Sequence, residues 1–214
     1  MTRQQIFRWW SRRLGWAGLL LLIPLLGADT GGNADSRIGY ELVGQVLNTS
    51  PQQSLQYGYL NWVRGLDRIT TSGGAISETT ALLTFYNDTT TERVINVGPI
   101  RVVDRTGTSA IYYTDSGNGI FSSPDSFAKG KPVQACNLRH QVVIDTSTGY
   151  FTTTFEMTIT SAKTFQIDDK TYRLGKPGGV YRITVFGKLT TQGTPSAYIA
   201  GVATGSGAEV IEVE

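Results

Sequence analysis

The chain has 214 residues, a formal net charge of +2 and a single cysteine, Cys136. Residues 1–34 hold four of the 19 Lys and Arg residues and one of the 17 acids, so the remainder carries 15 basic and 16 acidic side chains. Binding to a phosphate backbone needs a clustered basic surface, so nucleic acid is not expected as a partner of this near-neutral remainder. A lone cysteine excludes an intramolecular disulfide, and the fold must be held by its apolar core.

The first 34 residues have the order of a secretory signal peptide. Four arginines are followed by an apolar run from Leu14 to Leu26 and by the small-x-small sequence Gly32-Asn33-Ala34. The run is shorter than the ~20 residues that a helix needs to cross a membrane, so we expect transient membrane contact and cleavage near Ala34. Ser11-Arg12-Arg13-Leu14 resembles the start of a twin-arginine leader, which leaves that export route open beside the general one. We expect a secreted, periplasmic or cell-surface protein with one mature domain, residues 35–214.

Short strands are predicted directly after the leader. Thr, Val, Ile, Tyr and Phe recur there with two-residue alternation between clusters of Gly, Asn, Asp and Pro. Gly98-Pro99 should bend or bulge the chain because proline donates no ladder hydrogen bond, and Arg105-Thr106-Gly107 should turn it into the next strand. The predicted strands of this half are Tyr40 to Leu47, Gln56 to Arg64, Thr80 to Tyr86, Arg93 to Val97, Ile100 to Asp104 and Ser109 to Thr114.

The second half begins with the one predicted helix of the mature chain, Ser123 to Lys129, in which Ser123 can cap and Pro124 fits the first turn. A hairpin follows, because the turn Asp145 to Gly149 separates two alternating segments. In the second segment, Tyr150 to Thr160, odd positions are mostly apolar and even positions are polar, so we expect one face to be buried and the other to be exposed to solvent. The predicted strands of this half are Val133 to Asp145, Tyr150 to Thr160, Thr171 to Leu174, Val180 to Leu189, Ala197 to Ala203 and Glu209 to Val213.

Ten to twelve short strands without crossover helices predict an all-β, single-domain fold. The first choice is an antiparallel β-barrel and the alternative is a β-sandwich. In strand count alone the pattern resembles the calycin-type and allene oxide cyclase-type barrels, whereas no motif of either family can be matched residue by residue. A calycin-like barrel is therefore the expected architecture.

Side chains that carry catalysis or bind metals are sparse. His140 and Cys136 are the only residues of their types, which excludes the usual zinc sites. Four residues along a strand place their Cα atoms about 13 Å apart, too far for a nucleophile and its base. Asp115 to Gly119 lacks the acid pattern of a calcium loop and is best interpreted as a turn. We predict no cofactor and no metal site, and no spacing selects a catalytic pair among the acids Asp67, Glu78, Glu92, Asp104 and Glu156.

The residues best suited to contact a ligand are aromatic and polar. Tyr and Trp combine large apolar area with a polar group, and they are concentrated between residues 57 and 64. Alternation predicts Tyr57, Tyr59, Asn61 and Val63 on one face, with Leu60, Trp62 and Arg64 on the other. The alternative role for such residues is core packing or cross-strand pairing. The candidate ligand-binding residues are Tyr57, Tyr59, Asn61, Trp62, Arg64, Tyr112, Tyr113, Arg139 and Tyr181.

Three functions suit an exported β-barrel of this kind. The first is a non-enzymatic module whose interior binds one small apolar or aromatic ligand. The second is a structural or surface-interaction protein, which a packed interior and an exposed apolar patch would favour. The third is a secreted enzyme, such as an isomerase, cyclase or glycosidase, which would need convergent polar groups and a carboxyl group with a perturbed pKa. The sequence leaves the oligomeric state open.

Overall fold

After residue 36 the polypeptide folds mainly into extended strands. The computed structural model describes residues 37–71, 74–191 and 193–213, which belong to one compact unit, Asn33–Glu214. The predicted leader over residues 1–34, with its cleavage position and export route, lies outside the described residues. Within the described ranges, no helix has both the length and the apolar character needed to cross a bilayer.

Eight strands close into an antiparallel barrel, which confirms the predicted all-β barrel. Alternation gives each strand one face toward the barrel interior and one face outward. The barrel strands are β1 (Ile38–Asn48), β2 (Gln53–Val63), β3 (Leu83–Val97), β4 (Ile100–Tyr113), β5 (Lys131–Asp145), β6 (Tyr150–Ala162), and, after two strands that lie outside the barrel, β9 (Val180–Leu189) and β10 (Ala197–Thr204). Their order around the barrel is β1-β10-β9-β6-β5-β4-β3-β2, with β2 pairing back to β1.

A second, three-stranded sheet consists of β7 (Thr164–Ile167), β8 (Lys170–Leu174) and β11 (Val210–Glu212), in the order β11-β8-β7. β7 had no counterpart among the predicted strands. Phe165, Tyr172 and Leu174 of this sheet are buried in the same hydrophobic core as the barrel residues. The side chain of Gln134 on β5 donates hydrogen bonds to the carbonyl groups of Leu174 (3.1 Å) and Gly207 (3.3 Å), which ties the barrel to this sheet and to the 3-10 helix Ser206–Ala208.

The two ends of the barrel are built differently. Short connections, residues 49–52, 98–99, 146–149 and 190–196, join the strands at one end, which we call the open end. Longer connections, which include the three-stranded sheet, lie at the other end, which we call the capped end. The two ends therefore differ in the length and structure of their connections.

Several predicted boundaries are corrected. The predicted strands Thr80 to Tyr86 and Arg93 to Val97 are one strand, β3, which begins only at Leu83. The predicted strands on either side of residues 105–107 are one strand, β4, which ends at Tyr113. Arg105-Thr106-Gly107 is not a turn, since Arg105 pairs with Thr91 on one side and with His140 on the other. Glycine is required at position 107 because the backbone of β3 lies too close for a side chain. A Cβ atom there would lie 2.0 Å from the carbonyl oxygen of Asp88. The true turn is Gly98-Pro99, where Val97 pairs with Ile100.

The predicted hairpin over residues 133–160 is confirmed, with β5 and β6 antiparallel and Gly149 at φ +72° in the turn. Along β6, residues 151, 153, 155, 157 and 159 are buried and the intervening ones are exposed. The predicted helix is a short 3-10 helix, Pro124–Ala128, and within the described chain Ser123 makes no side-chain cap. On the outer face of β9, Phe186 stacks on Tyr150 with ring centroids 5.4 Å apart and remains 59% exposed.

Candidate functional site

The middle of the barrel is filled by side chains. Leu42, Leu60, Phe85, Phe155 and Ile199 surround a void of about 10 Å³. A void of that size is at the lower limit for one water molecule. The centre of the barrel therefore has no chamber for an organic ligand.

A larger cavity lies toward the open end. Its volume is about 60 Å³, which is room for roughly four water-sized groups. Asn48, Arg105, Ile144 and Leu189 line it and keep some solvent exposure, so the cavity reaches the surface. We call it the open-end cavity; its apolar wall includes Val142, Ile144, Phe151, Phe155, Leu189 and Ile199, and its polar residues are Asn48, Gln56, Arg105, His140 and Thr153.

Strand register places two of these polar residues beside each other. Arg105 on β4 is paired with His140 on β5, and both line the open-end cavity. The adjacent pair, Asp104 with Gln141, points to the opposite face because successive side chains alternate. On that outer face Asp104 accepts hydrogen bonds from Gln141 Nε2 (3.1 Å) and Arg93 Nε (2.8 Å). These two bonds, that of Gln141 first, lower the pKa of the Asp104 carboxyl group.

Arg105 is half-buried, and its side chain donates one hydrogen bond to the described part of the chain, from Nε to Thr91 Oγ1 (3.1 Å). The ion pairs between described residues are Arg68–Asp168, Arg93–Asp104 and Lys170–Glu212, and none includes Arg105. Desolvation, and then the charge of Arg101, lower the pKa of the Arg105 guanidinium. Arg105 is therefore a desolvated cation without a carboxylate partner among the described residues.

His140 is 2% exposed and packs edge-on against Phe155, with ring centroids 4.6 Å apart. Neither of its ring nitrogen atoms has a hydrogen-bond partner within the described part of the chain. Burial, and then the charge of Arg105, lower the pKa of His140 to about 3. The imidazole is thus neutral at ordinary pH, with one N–H donor and one acceptor nitrogen.

Gln56 adds a further unsatisfied group to the same cavity. Its amide nitrogen donates to Ser54 Oγ (2.9 Å) and to Thr89 Oγ1 (3.2 Å). Its Oε1 atom is buried and lacks a partner among the residues described. An unsatisfied buried polar group costs about 1–3 kcal/mol. Among the described residues Asn61, Asn87 and Asn118 also have such an oxygen atom, whereas His140 and Gln56 are the two that line this one cavity.

The capped end of the interior contrasts with this. Tyr181 donates to Gln134 Oε1 (2.7 Å), and Tyr40 donates to Tyr181 (3.2 Å). Cys136 Sγ lies 3.6 Å from Gln134 Oε1 and 3.7 Å from the Tyr181 hydroxyl. Burial raises the pKa of the Cys136 thiol to about 11. This network is satisfied and structural, and its Cys136 has partners other than His140.

Two of the candidate ligand-binding residues lie on the outer face of β2, where Tyr57 is buried and Tyr59 is half-buried. Tyr57 is 0% exposed and packs against Phe127 of the 3-10 helix, with ring centroids 5.4 Å apart. Phe121 covers Tyr57 and Tyr59, at 6.3 Å from each ring. The segment between β4 and β5 therefore lies over this aromatic face, and these two tyrosines are cross-element packing residues.

A β-bulge changes the faces predicted for the end of β2. Leu60 pairs with Leu42 and Trp62 pairs with Glu41, which leaves Asn61 as the extra residue. Beyond the bulge Val63 is buried, whereas Trp62 is 40% exposed, so the predicted common face of Leu60 and Trp62 is wrong. Asn61 donates to Glu41 (3.2 Å), and the Arg64 guanidinium lies 5.8 Å from the Trp62 ring centroid.

The other four candidates are also dispersed. Tyr112 is half-buried, and Tyr113 packs on Phe165 with ring centroids 5.3 Å apart. Arg139 is exposed beside Glu156 on the outer face, and Tyr181 belongs to the capped-end network. The structure therefore does not bring the nine candidates together, and none of them lines the open-end cavity.

Sequence reasoning missed Arg105, Gln56 and the cavity position of His140. Arg105 was assigned to a turn, so its place in an inward-facing row was hidden. The usable signal was in β5, where His140 has the same alternation phase as the buried Leu138 and Val142. A polar residue in phase with core residues indicates a position that faces an interior site or has a specific partner.

Two observations on the described residues concern catalytic and metal chemistry. The carboxyl groups with a resolved shift, Asp104 and Asp145, both have lowered pKa values, whereas a general acid needs a raised one. No cluster of three or more metal-ligating side chains occurs in the ranges described. Comparisons of the chain with protein-family models, with curated proteins and with solved structures give no match.

Proposed function

We propose that this chain is an exported, non-enzymatic module that binds one small ligand in the open-end cavity. The observation that supports the proposal is His140, which is 2% exposed, lines a cavity that reaches the surface, and has no hydrogen-bond partner among the described residues for either ring nitrogen atom. Gln56 Oε1 adds a second unpartnered group at the same place. A ligand that completes these hydrogen bonds recovers the free energy that their burial costs.

The volume of the open-end cavity limits the size of the ligand that the sequence led us to expect. Drug-sized ligands occupy pockets of about 300–1,000 Å³, whereas the open-end cavity has about 60 Å³. A small apolar or aromatic molecule of a few heavy atoms, or one end of a longer molecule, fits this space. Closed barrels of about eight strands, including calycin-like ones, commonly hold a single small ligand, which supports the proposal.

The test is an NMR titration that follows the methyl groups of Val142, Ile144 and Leu189, with phenol, n-butanol and butyrate as probes. A cavity-filling variant, Thr153→Phe, is compared with Thr152→Phe, which changes the neighbouring outward-facing residue. We expect saturable shifts in the unmodified chain and in Thr152→Phe, and at least a tenfold loss of affinity in Thr153→Phe. The proposal is rejected if no probe shifts these methyl groups, or if both variants bind equally.

A second candidate function, a surface-interaction protein, is favoured by apolar side chains on the outside of the barrel near the open end. Ile95, Val97 and Ile100 are 40%, 67% and 37% exposed on the β3–β4 hairpin, and Phe186 is 59% exposed. Sedimentation equilibrium of the unmodified chain and of Val97→Lys tests association between copies. A monomer at all concentrations would reject that form of the second function.

A further inference from the structure

We infer that the ligand of the open-end cavity is a short-chain carboxylate, with its anionic head on Arg105 and its apolar body against the wall formed by β5, β6, β9 and β10. This inference rests on the proposed function and adds the chemical class of the ligand. It follows from the charge of Arg105, from the engagement of nearby acids elsewhere and from the composition of the wall.

Arg105 has hydrogen-bond donors that the described chain does not use. A guanidinium has five N–H donors, and within the described chain only Nε is engaged, by Thr91 Oγ1. Its paired neighbour His140 is neutral and does not compensate the charge. A carboxylate matches the two terminal nitrogen atoms of a guanidinium with two parallel hydrogen bonds.

Among the described residues no acid forms an ion pair with Arg105, and the two acids that line a surface groove beside it are Glu92 and Asp104. Glu92 accepts a hydrogen bond from Thr106. Asp104 is adjacent in sequence but lies on the outer face, where Arg93 and Gln141 satisfy it. The charged group that acts most on Arg105 is another cation, Arg101. A desolvated cation next to a second cation attracts an anion from solution, because partial burial weakens screening by water.

The rest of the open-end cavity is mostly apolar. Val142, Ile144, Phe151, Leu189 and Ile199 present apolar side chains, which favour a short aliphatic body over a bare inorganic ion. Neutral His140 can donate one N–H bond to the second carboxylate oxygen. Gln56 Oε1 is an acceptor and suits a donor such as water, so the anionic head belongs on the Arg105 side.

The experiment compares probes that differ in charge or in body. Butyrate, butyramide and n-butanol share a four-carbon skeleton, and inorganic phosphate has charge without an apolar body. Affinities are measured by methyl NMR for the unmodified chain, Arg105→Gln and Arg182→Gln. Arg182 is the matched control, since it is an exposed arginine on the outer face of β9.

We expect butyrate to bind at least tenfold more tightly than butyramide in the unmodified chain and in Arg182→Gln. In Arg105→Gln this preference should fall to about twofold or less, because the charge-assisted hydrogen bonds are lost. If Arg105→Gln does not fold, the ratio of butyrate to butyramide in the unmodified chain still decides the question, since equal affinities reject an anionic head.

Three results would overturn the inference in different ways. Equal binding of the three organic probes, unchanged in Arg105→Gln, rejects the carboxylate and leaves the small-ligand module intact. Phosphate that binds as tightly as butyrate rejects the apolar body. The absence of open-end methyl shifts with every probe rejects the ligand-binding function itself.

Discussion

Arg105 and His140 face each other across the β4–β5 ladder, and both side chains line the same cavity of the barrel. One residue earlier on β4 and one later on β5, Asp104 and Gln141 are bonded on the outer face. Alternation thus separates a cation from the acid next to it in sequence. Arg105 lies inside without an ion-paired acid among the described residues, and Asp104 lies outside with another arginine, Arg93.

His140 should make the fold sensitive to acid. The pKa of His140 in the folded protein, about 3, is below the ordinary value of 6.5 for histidine, so the unfolded chain binds the proton more readily. The contribution of neutral His140 to the free energy of unfolding is therefore complete above pH 6.5. It is lost as the pH falls toward 3, at about 1.4 kcal/mol per pH unit. His140→Leu should remove this component, since it places an apolar side chain in the inward row of β5.

Urea unfolding of both proteins between pH 7 and pH 4 checks this expectation. Other groups with lowered pKa values, such as Asp104, are present in both proteins and cancel in the difference. The stability of the unmodified chain relative to His140→Leu should decrease steadily below pH 6.5. Parallel pH profiles would contradict a buried neutral imidazole.

Gln134 should be a principal polar contributor to the stability of the capped end. It is 2% exposed, donates to the carbonyl groups of Leu174 and Gly207, and accepts from Tyr181. Gln134→Leu leaves these groups without partners, and we expect a loss of about 2–4 kcal/mol in the free energy of unfolding. Urea denaturation measures it. Gln166→Leu, an exposed position on β7, is the control and should change stability by less than about 0.5 kcal/mol.

Alternation alone predicted the strands whose partners lie close in the chain. In β6, residues Phe151, Phe155, Met157 and Ile159 are all buried, as the sequence indicates. β9 behaves in the same way, with buried Tyr181, Ile183 and Val185. For such strands the burial of one face decides the side-chain orientation, and local pattern carries that information.

Features set by distant contacts could not be read from local pattern. Gly107 has the composition of a turn, but its role is to let the Asp88 backbone of β3 approach closely. The bulge at Asn61 depends on the register with β1 and reverses the faces that follow it. The burial of Tyr57 depends on Phe127, which is 70 residues farther along the chain. The open-end cavity could not be predicted for the same reason, because seven of the eight barrel strands, all except β3, contribute residues to it.

The aromatic side chains that cover β2, Phe121 and Phe127, should stabilise the fold. Phe127 is 0% exposed and contacts Tyr57 and Phe121, at 5.4 and 5.1 Å between ring centroids. Phe127→Ala should lower the free energy of unfolding by about 3–5 kcal/mol, because it removes a fully buried ring. Phe186→Ala is the matched control, as a phenylalanine that is 59% exposed, and should cost much less. Equal effects in chemical denaturation would reject the packing of this cover.

Arg105 should not stabilise the ligand-free protein. Residues placed for binding often leave the empty protein less stable than it would be with a substitute. Arg105 is desolvated and lies near a second cation, Arg101, without an acid partner among the described residues. We expect Arg105→Gln to leave the free energy of unfolding unchanged or to raise it by about 0.5–1 kcal/mol in ligand-free protein.

Urea denaturation with and without butyrate checks both parts of this expectation. Butyrate should stabilise the unmodified chain and Arg182→Gln, since a ligand that binds only the native state raises its stability. It should stabilise Arg105→Gln far less. A loss of more than about 1 kcal/mol in ligand-free Arg105→Gln would instead mark the guanidinium as a structural group, because a side chain that supports the fold cannot be removed without cost.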